Sequence, residues 1–223
     1  RPAGRWRHGG GGQPMSRRRL AVVSAGLRVP SSTRLLADRI AEATSDELSR
    51  RGFEVDLGVV EVREHAHDVV NHLATGFPSE SLQAALDLVA GADGLVAVTP
   101  IFNASYSGLF KSFFDVLGER TLVDRPVLIA ATGGTVRHSL ALEHALRPMF
   151  SYLRAAVVPT AVFAAPEDWG GGDAQGSLRR RIERAAGELA AEVARREPAR
   201  PADPYALTAT FEQLLSGEGT DQG

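Results

Sequence analysis

Three stretches of this 223-residue chain gather residues whose types and spacing could do chemistry. The first is SAGLRVPSST, Ser24 to Thr33. It offers the hydroxyls of Ser24, Ser31, Ser32 and Thr33, the cation Arg28, and the free N–H groups of a helix starting near Ser32. Amide donors and the dipole of a helix N-terminus both favour negative charge, so the stretch reads as a phosphate site. The competing reading is that Ser31 or Ser32 merely caps the helix. The second stretch, TPIFNASYSGLFKSFFD, begins where Pro100 ends an apolar run. A loop of small polar residues can lay its backbone along a planar ring, with Phe102 and Tyr106 placed to stack. Phe110, Phe113 and Phe114 stand at helical spacing and read as core. The third, ATGGTVRHSLALEHALRPMF, puts Gly133 and Gly134 between an apolar run and a helix. Glycine lets backbone approach a flat ligand closely, although a glycine turn can also exist without one.

Other candidates are weaker. HAHDVVNH places His65, His67 and His72 around Asp68, but with no second cluster downstream it reads as a surface segment and not a metal site. Glu143 and Glu167 have no carboxylate partner for paired acid–base work. Lys111, the lone lysine, reads as solvent-facing. With no cysteine, disulfides, thiolate zinc sites and a cysteine nucleophile are excluded. Neither G-x-G-x-x-G nor G-x-x-x-x-G-K-[ST] occurs in the first loop, which argues against a dinucleotide Rossmann turn and a nucleotide P-loop.

Those stretches need strands and helices to hold them. LAVVSAG, GLVAVTP and RPVLIAATGG are short apolar runs of the kind buried on both faces of a sheet. FEVDLGVV alternates, and AAVVPTAVFAA supplies a fifth strand. Helical spacing is predicted over residues 34–52, 81–93, 107–119, 138–154 and 178–197, with a short final helix over 205–217. Strands alternating with helices predict an α/β domain, a parallel sheet with helices on both faces. Ligands in such sheets sit beyond the carboxyl ends of the strands, where strand order reverses. The loops after the first, third and fourth strands meet there.

Residues 1–19 hold six arginines and no acid, leaving 19 basic and 27 acidic residues in the rest. A mildly acidic domain argues against nucleic acid as a partner. The Gly-rich segment 1–18 reads as a disordered basic extension, 19–197 as the domain, and 198–223 as a proline-containing tail. No apolar run is long enough for a membrane span and the N-terminus lacks a signal-like apolar core, so the expectation is a cytoplasmic protein with no membrane partner.

Together the three loops resemble the NAD(P)H-dependent FMN reductase family of flavodoxin-like proteins, and within it the reductases of two-component alkanesulfonate and methanesulfonate monooxygenase systems. The resemblance runs from about Arg19 to Pro166. ADGLVAVTPIFNASYSGLFKSFFD and ATGGTVRHSLALEHALRPMFSYLRA are its specific parts. It implies a flavodoxin-like three-layer sandwich with a five-stranded parallel sheet. Arg28, Ser31, Ser32 and Thr33 would hold the FMN phosphate, with Gly26 giving room. Pro100, Ile101, Phe102, Asn103, Ala104 and Ser105 would line the isoalloxazine, and Thr132, Gly133, Gly134 and Thr135 its other edge. The implied reaction is reduction of FMN to FMNH2 by direct hydride transfer from NAD(P)H, with no side chain as acid, base or nucleophile and no metal. The implied setting is a homo-oligomer, dimer or tetramer, feeding a flavin-dependent monooxygenase. In such reductases a π-type insertion near His144 accompanies subunit contacts and flavin exchange. In the sequence itself no basic pair stands out as a reader of a 2′-phosphate, Arg137 and Arg147 being the candidates. A quinone, azo or chromate reductase with tightly held FMN shares nearly every motif. A flavodoxin-like electron carrier shares the fold, but is usually strongly acidic with a Thr/Gly-rich phosphate turn.

Overall fold

The computed structural model describes residues 16–170 and 172–198. The Gly-rich segment before Ser16 and the helix expected over 205–217 lie outside the described residues. The three apolar runs form the centre of one sheet as β1 (Arg17–Ser24), β3 (Gly94–Phe102) and β5 (Pro126–Thr132). They are almost wholly buried, as strands covered by helices on both faces must be. β2 (Glu54–Glu61) pairs with β1, and β6 (Ala156–Val157) and β7 (Val162–Ala164) pair in turn with β5, all in parallel. The order is β2-β1-β3-β5-β6, with β7 continuing the edge alongside β5. β1 starts at Arg17, two residues ahead of the expected domain start.

The strands' alternating side chains feed two cores. Ala21, Val23, Ala97 and Ile129 meet α2 (Ala66–Thr75), α3 (Glu80–Ala90), α4 (Gly108–Asp115) and α5 (Arg147–Tyr152) on one face. Leu20, Val22, Val98 and Leu128 meet α1 (Ser32–Arg50) and α6 (Gly172–Arg195) on the other. The result is the three-layer flavodoxin-like sandwich. Phe110, Phe113 and Phe114 pack with Phe150 in the first core, with tilted and edge-to-face ring contacts. Lys111 forms an ion pair with Asp115 one turn along α4.

Three elements differ from expectation. The fifth strand is split, because Pro159 in its middle has no N–H to give a ladder. Side chains satisfy the break: the Arg147 guanidinium donates to the carbonyls of Val158 and Pro159, both at 3.0 Å, and Glu188 accepts from the Thr160 amide and hydroxyl, both at 2.7 Å. The helix expected over 138–154 is interrupted, as described below. α2 occupies the HAHDVVNH segment, and His65 just before it is buried at 1% exposure instead of lying on the surface.

His65 has one weak neighbour, the Ser81 hydroxyl at 3.4 Å from Nδ1, and no hydrogen-bond partner for Nε2 among the described residues. Burial pushes its pKa below the ordinary value, against the weaker pull of Asp68 and Glu64. The unfolded chain therefore takes up this proton more readily than the folded one, so stability is complete above about pH 6.5 and falls as the pH drops below it. Thermal melts at pH 7.5 and 5.5 should show a larger loss for the parent than for His65→Gln.

Candidate active site

The carboxyl ends of β1, β3, β5 and β7 open into one cleft of about 910 Å3. Arg28 and residues 31–33, 100–102 and 132–134 line it, together with Leu27, Pro30, Leu35, Pro166 and Trp169. Strand order reverses between β1 and β3, so the cleft occupies the switch point of the sheet.

One end of the cleft is the start of α1. Ser31 is the N-cap, and its Oγ accepts from the Arg34 amide at 3.1 Å. The Ser32 and Thr33 amides that follow have no intrahelical acceptor. The Thr33 and Thr132 hydroxyls share a hydrogen bond of 2.8 Å, tying the helix start to the end of β5 and leaving one O–H of the pair for another acceptor. Ser24 Oγ, buried at the end of β1, has no hydrogen-bond partner among the described residues. Arg34 is engaged by Asp38 at 2.7 Å and by Glu61. Partial burial works against its charge, but these two carboxylates hold its pKa above the ordinary value. Arg28 is exposed, and no carboxylate of the described residues lines the cleft. This end is electropositive.

Gly26 does not line the cleft. A Cβ there would stand 2.0 Å from Ser31 Oγ, so glycine makes room for the cap, a packing role in place of the ligand clearance expected of it. Gly26→Ala should push the Ser31 side chain off the Arg34 amide. Losing the cap costs about 1 kcal/mol, so a melt should show a drop of a few degrees.

The second loop is a hairpin. β4 (Ser105–Tyr106) runs antiparallel to Ile101 and Phe102. Between them Asn103 and Ala104 have φ of 48° and 66°, both positive, as a two-residue type I′ turn needs. Thr99 Oγ1 accepts from the Ser107 amide at 3.1 Å and donates to the Pro100 carbonyl at 2.9 Å, which pins the hairpin to the start of α4. Phe102 lines the cleft at 46% exposure. Asn103, Ala104 and Ser105 form the hairpin's tip and far strand outside the lining, and Tyr106, expected to be available for stacking, packs against the core beside Phe110.

In the third loop the two glycines have different reasons. A Cβ on Gly133 would meet the Phe163 ring at 2.7 Å, whereas one on Gly134 meets nothing within 4 Å. Neither has a φ in the left-handed region. Thr135 caps a 3-10 turn (Val136–His138) from outside the cleft lining, its Oγ1 3.4 Å from the Arg137 amide. A π-helical segment (Leu142–Leu146) follows and runs into α5, with the Arg147 amide bonded to the Leu142 carbonyl. Pro148 accounts for the widening. It has no N–H for the His144 carbonyl, and its ring would clash with that carbonyl in a regular α-turn. Arg147 is fully committed to Glu143, at 2.6 and 3.0 Å, and to the two carbonyls of the strand break. It is therefore not a free reader of a 2′-phosphate. The Arg147 hydrogen bond in turn holds the Glu143 carboxyl below its ordinary pKa. Arg137 is exposed.

Residues 18–170 match the family described as NADPH-dependent FMN reductase. The chain belongs to that family. Membership makes it an oxidoreductase that works with FMN and NAD(P)H. It is 37% identical over 151 residues to the FMN reductase (NADPH) of Pseudomonas aeruginosa, covering 68% of this chain and 78% of that one. It is 39% identical over 145 residues to the NADH-dependent FMN reductase SfnE of Pseudomonas putida, covering 65% and 75%. An oxidoreductase structure from Corynebacterium diphtheriae, 47% identical, superposes with a TM-score of 0.79 over 81% of this chain and 98% of that one.

Within this FMN reductase fold, sequence reasoning missed the cleft's fourth wall. Pro166 and Trp169 line it from the loop after the fifth strand, yet only the loops after the first, third and fourth were expected to converge. The signal was available: a proline and a tryptophan directly follow AAVVPTAVFAA, at a carboxyl strand end. No group of three histidine, aspartate or glutamate side chains among the described residues is placed to hold a metal. No described helix is long and apolar enough to cross a membrane.

Proposed function

We propose that this chain binds FMN in the cleft, reduces it with NAD(P)H and releases the product to a flavin-dependent monooxygenase. The observation that carries the binding reading is Gly134, a glycine required neither by its backbone angle nor by any neighbour among the described residues, on the wall of a cleft whose α1 end carries Arg28. A flat ligand at van der Waals distance gives it a reason. The phosphate would take the Ser32 and Thr33 amides, the free hydroxyls and Arg28. Thr132 and the 133–134 backbone would face one edge of the ring, and Pro100, Ile101 and Phe102 another part of it.

Bound FMN supplies a ring able to accept a hydride from the reduced nicotinamide. The chain's own contribution is orientation and exclusion of side reactions. The described lining carries no histidine, aspartate, glutamate, lysine or cysteine, so this reading assigns no side chain as acid, base or nucleophile. Release of reduced flavin is supported by the likeness to two-component reductases and by the cleft's uncovered rim, where Arg28, Val29 and Phe102 are exposed. Copies of the chain would associate through the segment around the π turn, which leaves Val136, Leu140 and Tyr152 exposed.

The test is the visible spectrum of the purified protein, followed by oxidation of NADPH and NADH with and without added FMN. Colourless protein whose turnover depends on FMN supports the reading. Yellow protein that reduces a quinone and gains nothing from FMN means a resident flavin instead, and no turnover with either nicotinamide removes the reading altogether.

A further inference from the structure

We propose that the cleft contains a second subsite, a shelf formed by Trp169 and Leu35 that stacks the adenine of a dinucleotide. The inference rests on the functional reading above, because it takes the start of α1 as the phosphate end.

Trp169 closes a 3-10 turn (Pro166–Trp169) at the carboxyl end of β7. That turn is built to stay in place. The buried Asp168 carboxylate accepts from the Ala165 amide at 2.8 Å with one oxygen and from the Arg181 guanidinium at 2.7 Å with the other. Arg181 also donates to the Phe163 carbonyl at 3.2 Å. The Arg39 guanidinium lies 5.0 Å from the indole centre, within cation–π range. Trp169 packs against the core shared by α1 and α6. It also lines the cleft beside Pro166 and Leu35.

Leu35 is 44% exposed although it is a leucine, so the cleft holds uncovered apolar surface at this point. It sits two to four residues, roughly 3–6 Å of helical rise, beyond Ser31–Thr33. The shelf therefore begins one step past the phosphate end. The ring-facing loops after β3 and β5 form other walls of the cleft. In a dinucleotide, the adenosine is joined to the other half through the pyrophosphate, so an adenine follows the phosphates at about that remove. The cleft volume of about 910 Å3 stands near the top of the range for small-molecule sites, room for more than one flat ring. A fixed indole suits a neutral planar heterocycle, since stacking on it requires little further ordering of the protein. Two compounds of the reaction carry such a ring: the nicotinamide donor, and FAD when it replaces FMN as acceptor.

The sequence has two tryptophans, so Trp6→Phe leaves Trp169 as the sole indole emitter. Titrating that variant with 5′-AMP should give saturable quenching that inorganic phosphate does not reproduce. In steady-state kinetics Trp169→Leu should lower kcat/KM for an adenine-bearing compound relative to its adenine-free counterpart by about tenfold, and Trp169→Phe should recover most of it. A fall in the FAD-to-FMN ratio places the acceptor's adenine on the shelf. A fall in the ratio of NADPH to reduced nicotinamide mononucleotide places the donor's there. Trp169→Leu with both ratios unaltered, or AMP that leaves Trp169 emission unaltered, overturns the proposal. If the parent protein reduces no FMN, the functional reading fails on its own, and the AMP titration still decides the shelf.

Discussion

Gly134→Val should melt within a degree or two of the parent while losing more than about tenfold in FMN affinity. An added Cβ at this position has no atom of the described residues within 4 Å and no left-handed φ to resist it, so the folded chain has room for the substitution. The whole effect falls on whatever approaches the cleft wall. An isopropyl group there displaces a flat ring by more than an ångström, enough to forfeit much of its dispersion contact on that side. Gly133 is the internal control. Its Cβ would strike the Phe163 ring at 2.7 Å, and overpacking of that kind costs about 1–3 kcal/mol. Gly133→Val should therefore lower the melting temperature and impair binding only through the damage to β7. Isothermal titration with FMN beside a thermal melt separates the two. A Gly134→Val protein that binds FMN normally would place the ring elsewhere.

The second large effect is at the phosphate end. Ser32→Ala should weaken FMN binding about tenfold or more with stability unchanged, because a hydrogen bond to a charged group contributes about 1.5–3 kcal/mol. Ser31→Ala should do both kinds of harm. Its Oγ already accepts from the Arg34 amide, so the substitution removes an N-cap of about 1 kcal/mol as well as any contact to the ligand. The triple replacement of Ser31, Ser32 and Thr33 would confuse these effects, since Thr33 also fastens α1 to Thr132. Measured singly, the alanines distinguish a loop that binds phosphate from a loop that only starts a helix. Equal affinity in the parent and Ser32→Ala would mean that the backbone amides carry the anion without it.

The sheet and the three site loops were legible because each is announced locally. β1, β3 and β5 are apolar runs ended by small or helix-starting residues, and burial on both faces is written into composition alone. What sequence could not supply was which of two legitimate reasons a residue has. Ser31 reads both as a phosphate ligand and as a helix cap; its Oγ does cap α1 while the residue lines the cleft, and Gly26 makes room for that cap. Tyr106 is an aromatic beside the cleft that faces the core. α2 was lost because its pattern is poor: Val69 is buried while Val70 and Leu73 face outward. The split of the fifth strand had its cause in plain view in Pro159, but its repair by Arg147 and Glu188 depends on partners 11 to 28 residues away. Pro148 marked the π turn in the same way, as a residue that cannot continue a regular helix.

The broken fifth strand has a consequence for how copies of the molecule can meet. An unbroken edge strand is a template on which another chain can add its own, the route to open-ended aggregates. Here that border consists of two-residue and three-residue pieces, and in the gap between them the Val158 and Pro159 carbonyls are taken by Arg147 and the Thr160 amide by Glu188. Too few free backbone groups in line remain for a foreign strand to register. On this side growth by strand addition is blocked, and any orderly assembly has to be made through helix faces and loops.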